Sequence, residues 1–400
     1  MMQTIVLQEF EQRDLDIDHH AAVTLRNTAG RALLVLPTDH AGRWSIRSSS
    51  LVGTVVTPTL RVLIRPKVSD ANLFHLLGVA GDRLNLGSEV FEYQRSNDLV
   101  PAFATFFARH LEQAVARGVV RRYREGEERL NGVRGRVDLR AQTRMAGLAV
   151  PVDCRFDEHS ADHQLNRIVA SAIVRLVRLP GVSPNSRQTL LRSISLFEEV
   201  APLRPSDLRI PTTFTRLDRH FRPVEHLARL VIAGSSLLDA AGSSGASTFT
   251  IDMNRLFEQF VEDRLRRYLR GQLDVVGQSA VSLDHGRHVR MRPDLVFREA
   301  GRPAYVGDSK YKLTADGYGR ESDYYQLLAY CTALELPAGM LIYCHADGAL
   351  PPRQVTVRGP QSRTLTTAAV RLDGSPTHVE ERMRLLAGEI ADRATESSRP

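Results

Sequence analysis

Between Arg31 and Val68, short β-branched and leucine-rich runs (Ala32–Leu36, Leu51–Val56, Leu60–Ile64) alternate with Pro, Gly and Ser clusters, a pattern that predicts several strands of a small sheet. From Pro101 to Arg122 the period changes. Phe103, Phe106, Phe107, Leu111 and Val115 recur at helical spacing and predict a helix that closes a β-rich N-terminal domain over residues 1–125. Two more helical stretches, opened by Ser160 and Ser186 as N-caps, make residues 126–245 a mainly helical middle region. The Gly, Ala and Ser run from Gly242 to Thr248 reads as a hinge, with a boundary near residue 245.

Beyond the hinge, Met253, Leu256, Phe257, Phe260, Val261 and Tyr268 form one apolar helical stripe, with Glu258 on its flank and Glu262 one turn further. Strands are predicted at Val289–Phe297 and Ala304–Tyr311, joined by a Gly301-Arg-Pro303 turn. A helix from about Ser322 to Leu336 and a short buried strand at Met340–Cys344 follow. The order helix, strand, strand, helix, strand predicts an α/β domain over residues 246–400. After about residue 375 bulky apolar residues are scarce apart from a Met383–Ile390 patch, and the last ten residues are expected to fray. The fold class is therefore α/β and multidomain, and a chain of 400 residues exceeds what one core normally supports.

An apolar share of 42% with 25% charged residues excludes a disordered or collagen-like chain. Cys154, Cys331 and Cys344 are too scattered for a disulfide framework or a thiolate zinc site. No apolar run approaches the roughly 20 residues that span a bilayer, and the first twenty residues lack a secretory pattern, so a cytoplasmic protein is expected. A net charge of +7 favours an anionic partner, most commonly nucleic acid. Of 53 basic residues only Lys67, Lys310 and Lys312 are lysines. An ammonium is a compact point charge and a guanidinium a broad plane, so in an arginine-biased chain the surviving lysines mark sites that need the former.

Two of those lysines lie beside an acidic pair. Arg292-Pro293-Asp294 falls on the first predicted strand and Asp308-Ser309-Lys310 on the second. Alternation along a strand turns Asp308, Lys310 and Val306 to one face. If the two strands are neighbours, Asp294 reaches the same region. Two carboxylates can then hold a hard divalent cation such as Mg²⁺ (or Mn²⁺), with Glu258 completing the shell. A metal that polarises a phosphoryl oxygen, with an ammonium offsetting the charge of the transition state, hydrolyses phosphodiesters. Gln326 and Tyr330, at i and i+4, share one helix face that can touch a nucleic-acid strand or the site.

At these residues the chain resembles the PD-(D/E)xK nuclease superfamily, in the form Pro293-Asp294 with Asp308-x-Lys310. Gln326 and Tyr330 resemble the Q-x-x-x-Y helix of its RecB-like branch. Ile64-Arg-Pro-Lys67, Arg117-Gly-Val-Val-Arg-Arg-Tyr123, Val133-Arg-Gly-Arg-Val-Asp138, Phe156-Asp-Glu with Asp162 and Asn166-Arg167, and Leu256-Phe-Glu258 are similar, in that order, to the McrC subunit of McrBC modified-cytosine restriction systems. The resemblance runs from about residue 50 to 345.

It implies a restriction-endonuclease-like C-terminal domain with catalytic Asp294, Asp308 and Lys310, metal support from Glu258, and Lys312, Gln326 and Tyr330 at the DNA or behind the site. It also implies a DNA endonuclease subunit, part of a phage-defence system, that assembles with and stimulates a McrB-like AAA+ GTPase ring, so that GTP enters only through the partner. The N-terminal and middle regions would dock on that motor. Asp162, Asn166 and Arg167 would form a structural polar network of the middle region. The alternatives are a stand-alone RecB-like exonuclease and a non-catalytic adaptor that activates the GTPase ring.

No Gly-Lys dipeptide exists, so the chain carries no Walker A loop of its own. His159 and His163 beside Asp157, Glu158 and Asp162 do not match a metalloprotease motif, and acids near a helix start ordinarily serve the helix dipole. Gly242-Ser-Ser-Gly245 reads as a link, not as a nucleophile elbow. The arginines at 121, 122, 124, 129, 134, 136 and 140 could grip phosphates or the motor ring. His285 and His288 decorate a hairpin loop.

Overall fold

The computed structural model describes residues 2–78, 90, 93–94, 97–143, 150–237, 246–311, 320–345, 353–358 and 362–397. Lys312 and most of the expected hinge, residues 238–245, lie outside them. The chain divides into two compact units, Met1–Ala102 with Ser236–Pro400, and Phe103–Ser235. The N-terminal residues thus join the C-terminal ones in one unit, whereas the hydrophobic pattern alone separates them at residues 125 and 245.

The reason is a strand pairing. Ser247–Asp252, whose first two residues were expected as hinge, is a strand that runs antiparallel to Leu51–Val56, with Phe249 opposite Thr54. The same sheet continues through Leu60–Arg65 to Gln3–Gln8, the last pair parallel. Gly53 is required here, because a Cβ on it would stand 2.1 Å from the Phe249 carbonyl oxygen. The helix His19–Ala29, capped by the Asp18 carboxylate on the Ala21 N–H, buries Ala22 and Leu25 against this sheet and a smaller three-stranded one.

The candidate site lies on a six-stranded sheet of order Asp274–Gly277, Leu295–Glu299, Arg302–Lys310, Ala338–His345, Arg363–Arg371, Arg353–Val357. Arg302–Lys310 is antiparallel to Leu295–Glu299 and parallel to Ala338–His345. One face carries the helix Glu321–Ala333, whose Leu327, Tyr330 and Cys331 pack on Val306, Leu341 and Leu365. Helices Met253–Tyr268 and Pro376–Ser397 also pack on the sheet and on each other.

Two expectations change in this unit. The strand expected over Val289–Phe297 is broken. Arg290–Met291 pairs with Val281–Ser282 as a separate hairpin, and Leu295–Glu299 joins the large sheet. Pro293 has no N–H for a ladder, so the chain turns off there and Asp294 sits at the break. The helix Pro376–Ser397 buries Val379, Met383 and Ile390, and of the last ten residues, expected to fray, 391–397 belong to it. That helix is fastened by Glu380, which accepts from Arg264 Nε (2.5 Å) and from the Tyr268 hydroxyl and lies 3.1 Å from His75 Nε2.

The unit Phe103–Ser235 is less purely helical than expected. Its antiparallel sheet has the order Arg122–Leu130, Val152–Ser160, Arg136–Val137, beside the helices Gln164–Arg178, Pro184–Ile194 and Arg222–Gly234. The N-caps are His163 and Ser183, not Ser160 and Ser186. Arg167 makes two 2.7 Å hydrogen bonds to Asp162, and the Asn166 amide donates to the carbonyls of Val120 and Ala161.

Candidate active site

The antiparallel register sets Leu295 opposite Gly307, so Asp294 comes to the end of the strand that bears Asp308 and Lys310. There Asp294 Oδ2 accepts from the Ser309 N–H at 3.0 Å, and Oδ1 accepts from the Gln278 side-chain amide at 2.8 Å. Both oxygens of Asp294 are thereby oriented. Gln278 holds a left-handed backbone (φ 49°), and its own N–H donates to the Asp294 carbonyl. Neither Gln278 nor Ser309 was expected from the sequence. Ser309 is the unspecified middle residue of Asp-x-Lys, and nothing local marks Gln278.

Asp308 is in the opposite condition. It is fully buried, and among the described residues the donor that reaches its oxygens is the Lys310 ammonium, whose Nζ lies 2.7 Å from Oδ2, while Oδ1 has none. Burial first, and then the negative charge of Asp294, push the Asp308 pKa up despite Lys310. Two ionised carboxylates are acceptors only, so Asp308 and Asp294 can share a hydrogen bond only when one is protonated. Glu258, half-buried on the helix Met253–Tyr268, is raised to about 7 by burial and then by Asp294, with Asp308 adding and Lys310 opposing. Burial alone would lower the Lys310 pKa, but Asp308 and Asp294 outweigh it and raise it.

The site thus gathers three carboxyl groups around one ammonium, and the excess negative charge is expressed as raised carboxyl pKa values. A divalent cation would relieve that repulsion and satisfy Oδ1 of Asp308, so the residues present fit a metal. Among the described residues no trio of His, Cys, Asp or Glu is already gathered as a ligand set. Two carboxylates and retained waters suffice for Mg²⁺.

Tyr330 is buried on the helix face toward the site, where Asp308 and Asp294 contribute to raising its pKa after burial does. Its hydroxyl accepts from Gln326 at 2.6 Å and donates to the Arg292 carbonyl at 3.3 Å. Tyr343, opposite Lys310 in the register, donates to Asp323 at 2.9 Å. Lys67 takes no part in this site and stacks over Phe10.

The model of the McrBC 5-methylcytosine restriction system component family matches residues 46–344. The chain belongs to the McrBC restriction-system family. The motif order from Ile64 to Lys310 pointed to this family, and that expectation is borne out. No curated protein matches. Among solved structures, a chain of the Thermococcus gammatolerans assembly of McrB AAA+ hexamers with bound McrC is similar at 20% identity and TM-score 0.54, covering 97% of this chain and 100% of that one. A chain of the T. gammatolerans McrBC complex gives 21% identity and TM-score 0.44, over 67% of this chain and 88% of that one. The first of these shows that this McrBC component shares its fold along nearly its whole length.

The remaining basic groups are mostly spoken for. Arg121, Arg122, Arg124, Arg129 and Arg134 pair with Glu199, Asp218, Asp162, Asp153 and Glu158. His159 lies on a strand and His163 at a helix start, so their spacing does not stack them.

Proposed function

We propose that this McrBC component is the McrC-type DNA endonuclease subunit, with a PD-(D/E)xK nuclease domain built on the six-stranded sheet. Asp294 and Asp308 would hold Mg²⁺ or Mn²⁺, and Glu258 would support it through retained water. When bound, the metal polarises the scissile phosphoryl group and supplies hydroxide at neutral pH. Lys310 meets the negative charge that develops on the phosphoryl oxygens. Its Nζ lies 2.7 Å from Asp308, and the charges of Asp308 and Asp294 favour its protonated form. Gln278 and the Ser309 N–H fix the Asp294 carboxylate. The observation that carries the reading is Asp308, a fully buried carboxylate whose Oδ2 faces the Lys310 ammonium at 2.7 Å and whose near neighbour is a second acid, Asp294.

The chain would act in the cytoplasm with a McrB-type AAA+ GTPase ring as partner, as McrC is bound to McrB hexamers in the T. gammatolerans assembly. The test is cleavage of 5-methylcytosine-containing and plain DNA with Mg²⁺, with and without the partner and GTP, for wild type and Asp308→Ala. Cleavage of modified DNA only in the full mixture, abolished by Asp308→Ala, is expected. Cleavage without partner or GTP would indicate a stand-alone exonuclease instead, and GTPase stimulation without any cleavage would indicate an adaptor.

A further inference from the structure

Residues 279–293 leave the large sheet at Gln278 and return at Asp294, and the hydrogen bonds between those two residues tie both feet of the excursion to the site carboxylate. In between, Val281 pairs with Met291 and Ser282 with Arg290. Met291 packs against the apolar cluster that includes Leu327 and Tyr330. Arg290 and Arg292 flank Met291, the first on the strand and the second just past it in the extended approach to Pro293, and both are exposed. The Tyr330 hydroxyl on the Arg292 carbonyl pins this strand to the helix Glu321–Ala333.

The tip is ordered as well. The Asp284 carboxylate accepts from the N–H groups of His288 (3.1 Å) and Val289 (2.8 Å) and lies 2.9 Å from the His288 ring. Gly286 permits that fold, because a Cβ there would stand 2.3 Å from the ring. Beside it Arg287 occupies the left-handed region at φ 58°, a place where Gly or Asn costs less. The turn itself does not call for an arginine.

Arg287, Arg290 and Arg292 are exposed, and among the described residues none has an ion-pair partner. The arginines of the Arg122–Leu130 strand, by contrast, are largely neutralised by acids of their own unit. Three exposed guanidiniums without acidic partners among the described residues, on a ribbon rooted at the candidate site, favour an anionic ligand there. Two of them sit two residues apart, about 6.6 Å at ~3.3 Å per residue, and the guanidinium fork matches phosphate oxygens.

We propose that the Val281–Met291 hairpin, with Arg287, Arg290 and Arg292, binds the phosphate backbone of DNA beside Asp294 and Asp308. This rests on the nuclease reading of the same site and adds to it the element that holds the substrate. The contacts address phosphates and not base edges, so they are independent of sequence.

The test is the affinity of a fluorescent DNA duplex for the full chain, by anisotropy across a series of salt concentrations. It uses an Asp308→Asn background so that no strand is cut. Replacing all three arginines by glutamine is expected to weaken binding roughly tenfold or more and to lower the slope of log affinity against log salt by about 2 to 3. Replacing them by lysine is expected to restore most of both. The thermal midpoint is expected to be unchanged, since the three side chains are exposed and unpaired. Unchanged affinity and slope in the glutamine variant, or no binding by the parent, would overturn the proposal. The nuclease reading is checked separately by cleavage with Mg²⁺, partner and GTP. A chain that cleaves normally with glutamine at all three positions sinks the hairpin alone. A wild type that never cleaves, yet loses DNA binding in the glutamine variant, sinks the nuclease and leaves the hairpin standing.

Discussion

Asp308 combines full burial, a single ammonium against one oxygen and a second carboxylate close by. In the absence of a cation that arrangement opposes folding. Its pKa is raised in the folded state, so its contribution to stability is complete below the unfolded value and is lost as pH rises toward the folded one. Asp308→Asn is therefore expected to melt a few degrees higher than wild type at pH 8 and with no advantage near pH 4, in thermal scans without metal. Millimolar Mg²⁺ should raise the wild-type midpoint and leave the variant where it is. The same substitution is expected to abolish cleavage, and Lys310→Ala to lower kcat about 10²- to 10³-fold.

Glu258 and Asp308, both raised to about 7, are expected to shape the pH dependence together. A carboxyl that must ionise to support a cation becomes effective as pH rises through that value, so the cleavage rate is expected to climb between about pH 6 and 8. In Glu258→Gln the rate should be lower and this limb flattened. A pH–rate profile at saturating Mg²⁺ that is identical in both proteins would remove Glu258 from the site.

At the scale of elements, the C-terminal helix shows how a polar-looking segment becomes structural. Arg264 is 2% exposed, and the Glu380 carboxylate is its partner across the two helices. Arg264 would keep Asp263 at 3.0 Å but lose the bond from its Nε, so Glu380→Ala is expected to cost about 1 to 3 kcal/mol in denaturant melts.

The helices Met253–Tyr268 and Glu321–Ala333 could be read from local spacing, because periodicity over a few turns is a local property. Asp308 and Lys310 could be paired for the same reason, as alternation on a strand needs no distant information. The stripe Val379, Met383, Leu386 and Ile390 was equally present, but diluted among charged neighbours it did not stand out. What could not be read was long-range. The role of Gln278 depends on a left-handed turn at the edge of the sheet. The break at Pro293 depends on which strand needed a donor there.

At the scale of the whole molecule, the residues of the candidate site all belong to the unit that contains Met1–Ala102 and Ser236–Pro400, while Phe103–Ser235 is a separate compact unit. In a McrC-type subunit, cutting and stimulation of the partner are then separable. Asp308→Asn is expected to stimulate GTP hydrolysis by a McrB-type partner as well as wild type does, measured as phosphate release, while no DNA is cut. Loss of stimulation in that variant would couple the two activities.

The pairing of Ser247–Asp252 with Leu51–Val56 also has a consequence for biosynthesis. The strand Leu51–Val56 has Leu60–Arg65 along one side and receives its second neighbour only after residue 252 has been translated. At roughly 5 to 20 residues per second that interval lasts on the order of 10 to 40 s. Throughout it, the nascent polypeptide presents an open apolar β-edge beside Gly53, which makes this segment the natural client of a ribosome-associated chaperone.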